Sequence, residues 1–354
     1  MRPRLFRRGF ILKPSHLTHR RLFRTILLLA VVLLASMAWS LSIGFVKVGL
    51  VSALRPLWGG VTPPEHLAIL FQLRLPRILL AALAGAALAS SGAAFQAVLR
   101  NPLADPYILG ISGGAALGAI AAVTAGWETA ASAWPVRPLA AFAGAGLTVL
   151  AIFWLARSRG RVASYPMLLI GWIFNSLFLA LILFLETAVD FSRVHGAIFW
   201  LVGTLSPQPY PVLGILALLV TLGFVVLLLH ARDMDLICAG EETARQLGSS
   251  VERAKVFSIL AAALITAAVV SFTGLIGFVG LIVPHAARLL FGANHRLLLP
   301  ASALLGAVAL VLADTLARTL LAPTEIPVGV LTVLVGGPCF VLLYRRHHAE
   351  SYFD

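Results

Sequence analysis

Ten apolar runs of roughly twenty residues occupy most of the chain, and no other feature of the sequence constrains its fold so strongly. A helix of about 20 apolar residues crosses a bilayer, and it satisfies its own backbone polar groups where no water is present. The pattern therefore predicts an all-α polytopic membrane protein with about ten transmembrane helices. The predicted spans are 25–46, 77–99, 106–125, 138–156, 166–187, 211–230, 256–274, 275–291, 299–317 and 326–344.

The seventh and eighth spans form one apolar stretch from Val256 to Phe291. That stretch is too long for a single crossing. It is interrupted by Gly274, Gly277 and Pro284, and such residues are typical of turns. We therefore place a tight turn near Gly274.

The distribution of basic residues supports ten spans with both termini in the cytoplasm. In that topology the inner loops carry about three times as many Lys and Arg residues as the outer loops, as the positive-inside rule requires. Removing one span of the seventh and eighth would leave Arg288, Arg296 and the pair Arg345-Arg346 outside. The even count of spans is therefore preferred.

The first apolar run follows a strongly basic segment, so a secretory signal has to be considered. Such a signal has an apolar core of about 7–15 residues and a small-residue cleavage site. The run 25–46 is longer, and we interpret it as an uncleaved first span. The chain then divides into a basic cytoplasmic extension (1–24), a transmembrane domain (25–346) and a short cytoplasmic tail (347–354).

Composition agrees with a membrane location. Apolar residues (AVILMFWYC) make up 60% of the chain and charged residues 12%, whereas soluble domains are close to half apolar and a quarter charged. The net charge of +13 would suggest nucleic acid if the basic residues shared one folded face. They fall between the apolar runs instead, so the lipid bilayer is the expected surrounding and nucleic acid is not an expected partner.

Motifs for catalysis, metal binding and ATP hydrolysis are missing from the sequence. No Lys stands in the Gly-Lys-Ser/Thr order of a phosphate-binding loop, and no His or Cys set has metal-ligand spacing. We therefore expect no enzymatic activity, no cofactor and no metal site, and an ATPase would have to be another polypeptide. A membrane-bound enzyme or receptor is one alternative that we keep.

Acidic residues avoid the centres of the predicted spans. Asp314 lies four residues before Arg318, which is the spacing of an ion pair on one helix face. Asp105, beside Pro106, is interpreted as an N-terminal helix cap. A self-contained secondary transporter without an ATPase partner is the other alternative, but it would be expected to keep ionisable groups near the membrane midplane.

The stretch from Arg74 to Gly118 joins two spans rich in small residues through a polar corner at 100–106. Small residues let helix backbones approach closely in lipid, where packing holds helices together, and a polar corner cannot face hydrocarbon. The stretch therefore predicts a tightly packed bundle with its corner at a membrane surface or facing an enclosed cavity. The small residues at helical spacing are Gly85, Ala89 and Gly92 in the first span and Gly110, Gly114 and Gly118 in the second.

The inner loop 231–255 is the one substantial polar segment between spans. Its run 241–248 has the composition of a helix and ends in glycine. It predicts a short helix-turn-helix on the cytoplasmic surface, which could dock a cytoplasmic partner. A plain solvated loop is the alternative interpretation.

Six separated blocks carry a resemblance to a known family. They are RLPR (74–77), SGAAFQAVLRNPLADPYILGISGGAALG (91–118), GEETARQLG (240–248), GLIGFVGLIVPHAARLLFGANHRLLLPASALLGA (274–307), ADTLAR (313–318) and EIPVGVLTVLVGGPCF (325–340). In their order and spacing the chain resembles the FecCD-type permeases of ABC importers for iron-siderophores, haem and vitamin B12. The match runs from about residue 70 to the C-terminus.

The resemblance implies a type II ABC importer permease, which is a ten-helix transport subunit and not a catalyst. It implies a homodimer around a central pathway in the cytoplasmic membrane of a bacterium or archaeon. Cytoplasmic ABC ATPase subunits would dock on one side, and an extracytoplasmic substrate-binding protein would deliver the cargo on the other. The cargo would be an iron complex (siderophore or haem) or cobalamin, moved by alternating access.

The resemblance also implies roles for particular residues. Arg74, Arg77 and Arg318 match family arginines that bind acidic residues of the binding protein. Asn101 and Leu103 match one inner gate of the pathway, and Ala163 and Ser164 match a second gate, where the family often has a Ser/Thr pair. The residues that match the ATPase-coupling segment are Gly240, Glu241, Glu242, Ala244, Arg245, Leu247 and Gly248.

Overall fold

The computed structural model describes residues 18–44, 46, 63–127, 135–158, 161–162, 164–187 and 201–349. Within these residues the chain is helical apart from one antiparallel pair of two-residue strands, β1 (Arg157–Ser158) and β2 (Arg161–Val162). The prediction of an all-α membrane protein is confirmed.

Ten helices in the described part of the chain correspond one for one to the ten predicted spans. They are α1 (His19–Ser42), α2 (Leu75–Val98), α3 (Ile111–Thr124), α4 (Val136–Ala156), α5 (Ser164–Thr187), α6 (Tyr210–Leu229), α9 (Val251–Thr273), α10 (Val279–Phe291), α11 (His295–Thr319) and α12 (Val328–Ala349). Two short helices, α7 (Ala231–Ala239) and α8 (Glu241–Gln246), lie between α6 and α9.

Seven of the helices are long and apolar enough to cross a membrane, and three apolar helices are shorter: Ile111–Thr124, Val279–Phe291 and Val328–Leu342. Non-helical backbone replaces the start of two predicted spans. α3 begins only after Gly110, whose φ of 73° is left-handed, and α10 begins only after a turn in which Gly274 has a φ of 64°. The turn predicted near Gly274 is confirmed, but the predicted starts at 106 and 275 were too early.

The second span starts earlier than predicted. A helical lead-in, Pro64–Ala68 followed by one π-helical segment, Ile69–Arg74, runs without interruption into α2. Proline is favoured in the first turn of a helix, where its missing N–H costs nothing. The second span therefore begins at Pro64, well before the predicted start at 77.

α2 is the central helix of the bundle, and nearly all of its side chains are buried. It packs against α9, α10 and α11. Gly85 faces Gly306 of α11 so closely that an added Cβ would lie 2.6 Å from the Gly306 carbonyl carbon, and Gly92 faces Gly280 of α10 in the same way. The close-packing face predicted for this helix is confirmed.

The helix after the corner uses its glycines similarly. Gly114 of α3 packs against Gly144 and Thr148 of α4, and Gly118 packs against Ala140. Because both helices carry small residues at this contact, their backbones meet directly. The second small-residue face is thus also a packing surface.

We predict that Gly85→Ala lowers the thermal midpoint of the detergent-purified protein, because the new methyl group must push α2 away from α11. Overpacking of this kind typically costs about 1–3 kcal/mol. Gly146→Ala is the matched control, since a Cβ at Gly146 meets nothing within 4 Å. Alanine favours a helix over glycine, so the control should melt at or above the wild-type temperature. Equal midpoints for Gly85→Ala and the control would contradict the packing account.

Candidate functional site

Three groups of residues at the two ends of the bundle form the candidate site. The outer cluster consists of Arg74, Arg77 and Arg318 with Asp314 and Glu325. The coupling segment is residues 240–248. The gate corner is residues 99–110, which join α2 to α3.

Two of the three predicted docking arginines meet at a buried carboxylate in the outer cluster. Arg77, near the start of α2, lies 3.0 Å from Asp314, and Arg318 lies 3.1 Å from the other oxygen of the same carboxylate. The side chain of Asp314 is only 1% exposed. The ion pair predicted between Asp314 and Arg318 is confirmed, and α2 shares it.

Hydroxyl groups complete the buried side of the outer cluster. Ser40 of α1 accepts hydrogen bonds from Arg318 at 3.0 Å and from Thr315 at 2.6 Å. Buried charges are tolerated when they are paired and hydrogen-bonded. The cluster therefore ties α1 and α2 to α11.

Arg74 binds the backbone of the chain that follows α1. Its guanidinium donates to the carbonyl oxygen of Leu41 at 2.9 Å and to that of Val46, and the residue is buried. Gly44 lies directly against it, with room for no side chain. In this conformation Arg74 fixes the end of α1 and is not presented to the outside.

Arg77 is the most accessible arginine of the cluster. It donates to Glu325 at 2.7 Å, and the side chain of Glu325 is 53% exposed. Both residues border a depression of about 300 Å³ that is formed with 204–207 and 326–328. An exchangeable ion pair thus lies at the mouth of a surface depression.

The two sides of the outer cluster differ in how easily they can open. An exposed ion pair contributes about 0–1 kcal/mol, whereas removing one member of a buried pair leaves an uncompensated charge. The Arg77–Glu325 contact is therefore the one that an incoming carboxylate can replace. Three arginines against two carboxylates also leave one excess positive charge among the described residues of the outer cluster. The docking roles of Arg74, Arg77 and Arg318 stay predictions.

The coupling segment is a preformed hairpin of short helices. Gly240, with a φ of 130°, separates α7 from α8, and Gly248, with a φ of 83°, follows α8. Ala244 is fully buried in a small apolar cluster with Ile237 and residues of α9. The predicted helix-turn-helix is confirmed, and the alternative of a plain loop is wrong. Residues 251–255 of the predicted loop belong to α9.

Ion pairs fasten α8 to the start of α9. Lys255 is 2% exposed and donates to Glu241 at 2.5 Å. Arg245 lies 3.4 Å from each of Glu241, Glu242 and Glu252. The orientation of α8 is therefore set by the chain itself.

The outward face of the coupling segment is open. Glu242 and the large apolar side chain of Leu247 are both exposed. A rigid, half-apolar tip of this kind can insert into a cleft of another protein without first having to fold. Its role in coupling remains a prediction.

The gate corner is a tight turn with an apolar tip. The side-chain oxygen of Asn101 accepts from the backbone N–H of Leu103 at 2.9 Å, and Leu103 is exposed. Tyr107 braces the corner on two sides. Its hydroxyl accepts from the backbone N–H of Ile276, and its carbonyl oxygen accepts from Asn175 of α5 at 2.7 Å.

The structure describes only one of the two residues of the second predicted gate. Ser164 is the first residue of α5. Ala163 lies outside the described residues. The assignment of this pair as a gate stays a prediction.

Asp105 is buried in the gate corner. It accepts from the backbone N–H of Tyr107 at 2.8 Å, so it caps a turn and not α3, which begins at Ile111; the predicted helix cap was wrong. Burial raises the pKa of this carboxyl to about 6, and the hydrogen bond from Tyr107 offsets part of the shift.

Sequence patterns did not identify three of these residues as parts of a site. Glu325 and Tyr107 lie in the blocks 325–340 and 91–118, and Lys255 lies in none of the blocks, but no local pattern indicates which residues they contact. One feature of the sequence could have identified Lys255. It lies near the start of an apolar helix, and a buried lysine needs an acidic partner. Within the described residues, no group of three His, Cys, Asp or Glu side chains could hold a metal.

The chain matches one known protein family over most of its length. The model of the FecCD transport family matches residues 28–346. The cobalamin import system permease protein BtuC of Halobacterium salinarum is 45% identical over 297 residues, which cover 84% of this chain and 78% of that protein. The hemin transport system permease protein HmuU of Yersinia pestis is 40% identical over 314 residues, covering 88% of this chain and 93% of that protein.

A solved structure has the same fold. It is described as an inward-facing conformation of a metal-chelate type ABC transporter. The two chains superpose with a TM-score of 0.80 at 31% identity, over 91% of this chain and 99% of the other. The similarity thus includes both ends of the bundle.

We predict that Lys255→Met loosens the coupling segment. Methionine fills a similar volume but cannot pair with Glu241, so α8 should detach more often and trypsin should cleave after Arg245 up to about tenfold faster. Glu242→Gln is the matched control, because it leaves the Lys255–Glu241 pair intact. Cleavage rates followed by peptide mass that are the same in Lys255→Met and wild type would show that this pair does not hold α8.

We predict that Asp105→Asn removes a pH-dependent destabilisation. Because the folded pKa of about 6 exceeds the ordinary carboxyl value near 4, the folded state binds more protons than the unfolded state between these values. Wild-type stability should therefore fall as pH rises from about 4 to about 6 and stay lower above that.

Asparagine can still accept from Tyr107 and has no charge to bury. The variant should exceed wild type by roughly 2 kcal/mol near pH 7.5 and match it near pH 4. Thermal midpoints of the purified proteins at the two pH values measure the difference. A difference that does not change with pH would sink this account of Asp105.

Proposed function

Because this chain belongs to the FecCD transport family, we propose that two copies of it assemble around a central pathway and move their cargo by alternating access. The chain is a multi-pass protein of the cell membrane and the permease subunit of an ABC importer for iron complexes, haem or vitamin B12; it is not an enzyme. Proteins of this family work with ATPase and substrate-binding partners. The homodimer, the conformational cycle and the choice of cargo are the proposed parts.

The preformed coupling segment is the observation that carries the proposal. The chain has no phosphate-binding loop of its own, so the energy of ATP must enter through a contact with another protein. The coupling segment is rigid, lies on the face that the positive-inside rule assigns to the cytoplasm, and exposes Leu247 and Glu242. These properties suit a helix that a cytoplasmic ATPase pushes.

A series of contacts connects α8 with the central helix of the bundle. The Lys255–Glu241 pair joins α8 to α9, and α9 packs along the central helix α2. α2 ends at the gate corner, where Asn101 and Leu103 lie. In the proposed cycle, closure of the ATPase subunits shifts α9 against α2 and thereby changes the gate corner between two packed arrangements.

The outer cluster is the proposed landing site of the binding protein. An acidic side chain of that protein would displace Glu325 from Arg77, while Asp314 keeps the buried side of the cluster neutralised. Arg74 and Arg318 would then contribute mainly through the positive field at this surface and by fixing the helices that present Arg77. Exchange of one exposed ion pair for another costs little, which suits a partner that must also leave.

The proposed cargo is a metal held by an organic chelator or macrocycle. The relatives named above transport cobalamin and hemin, and the similarity to both extends over most of each chain. A homodimer interface would provide a pathway wide enough for such a bulky molecule. Selection of the individual cargo is assigned to the binding protein.

We predict opposite effects of two substitutions on docking of the binding protein. Both Arg77→Gln and Glu325→Gln remove the Arg77–Glu325 ion pair, and Arg77→Gln also removes the contact with Asp314. If Arg77 docks an acidic partner, Arg77→Gln should weaken binding and Glu325→Gln should strengthen it, each by roughly two- to fivefold. The measurement is the affinity of the immobilised permease–ATPase complex for the binding protein.

General damage to the outer cluster would move both variants in the same direction. A shared loss of affinity would therefore rule out this docking role while leaving the fold account intact. Binding of the ATPase, at the opposite face, serves as the control and should be unchanged in both variants.

A further inference from the structure

A cavity of about 570 Å³ opens between the gate corner, α7 and the junction of α10 with α11. Its volume is that of a site for a small molecule. No role proposed above uses it, although Asn101 of the gate corner lies on its wall. Most of the residues that line it have polar or charged side chains.

The wall of the cavity carries two arginines. Arg100 comes from the gate corner and Arg288 from the last turn of α10. Arg288 donates to the side-chain oxygen of Gln96 at 3.3 Å, which fixes one edge of its guanidinium. Planar guanidinium groups favour phosphate and carboxylate, which they can bind through two parallel hydrogen bonds.

A buried histidine on the same wall has an unused ring nitrogen. The Nδ1 atom of His295 lies 2.6 Å from Asp235 of α7, and the residue is 2% exposed. Its Nε2 atom is buried without a hydrogen-bond partner among the described residues. The backbone N–H of His295 donates to the same carboxylate oxygen at 2.9 Å, so that oxygen of Asp235 is already bonded within the wall.

The cavity lies close to the cytoplasmic membrane surface. Arg21, in the basic first turns of α1, donates to the carbonyl oxygen of Phe291 at 3.0 Å. Phe291 ends α10, and Ala293 and Asn294, which follow it, line the cavity. Basic pockets between spans at this level meet lipid headgroups as well as soluble anions.

We propose that this cavity is a binding site for a phosphate group, supplied by an anionic lipid headgroup or by a soluble phosphate. Arg288 and Arg100 hold the phosphate oxygens. The site links the gate corner to α7, which leads directly into the coupling segment. A bound phosphate would therefore brace the gate corner against the element that the ATPase moves.

The test uses the full-length protein in nanodiscs of phosphatidylcholine alone or with phosphatidylglycerol. Inorganic phosphate is compared with chloride at equal ionic strength, and the thermal midpoint and the lipid retained in native mass spectrometry are measured. Phosphate should raise the midpoint, or phosphatidylglycerol should be retained at a stoichiometric level. The first result assigns a soluble phosphate and the second a lipid headgroup.

Arg100→Gln and Arg288→Gln should each reduce phosphate binding or phosphatidylglycerol retention, whichever the wild type shows, at least tenfold. Arg100 is exposed, so its variant keeps the test valid if Arg288→Gln fails to fold. Arg232→Gln is the control, because Arg232 is exposed on α7 outside the cavity wall; it should respond as wild type does. The proposal is overturned if neither phosphate nor phosphatidylglycerol acts on wild type, or if Arg100→Gln responds as strongly as Arg232→Gln.

Discussion

The direct contact of α2 with its neighbours is the constraint on which the rest of the structure depends. Gly85 meets Gly306, and Gly92 meets Gly280, with no side chain between the backbones. In lipid such contacts depend on close packing, and a side chain at Gly85, Gly92 or Gly306 would force the facing backbones apart. They place the start of α2 beside the end of α11, where the outer cluster forms, and its other end at the gate corner.

The same packing connects the outer cluster at one end of the bundle with the coupling segment at the other end. At the outer end, Asp314 joins α2 to α11 through Arg77 and Arg318. At the inner end, Lys255 joins the coupling segment to α9, which lies along α2. In the proposed cycle, a central helix that is held by polar contacts at both ends would change arrangement as a unit, because packed interfaces are bistable and do not deform continuously.

The sequence predicted the helices, their number and their small-residue faces, because apolar length and glycine spacing are local signals. It placed the starts of α3 and α10 too early, because the backbone between spans is shaped by tertiary partners such as Tyr107 and Ile276. The sequence blocks pointed to the three arginines of the outer cluster. They did not indicate that Arg74 is buried against the chain after α1, or that Glu325 forms an ion pair with Arg77. Such pairings join residues far apart in the chain, and a periodic sequence pattern does not indicate them.

The central claim is that another protein's ATP hydrolysis drives transport through this permease. Uptake of a labelled metal chelate into proteoliposomes that contain the complete complex tests it most directly, with the binding protein and fixed ATP supplied. Uptake should stop when the ATPase binds but cannot hydrolyse ATP, and it should continue when a protonophore collapses the proton gradient. Uptake that survives the inactive ATPase and stops with the protonophore would contradict the account and favour a self-contained secondary transporter.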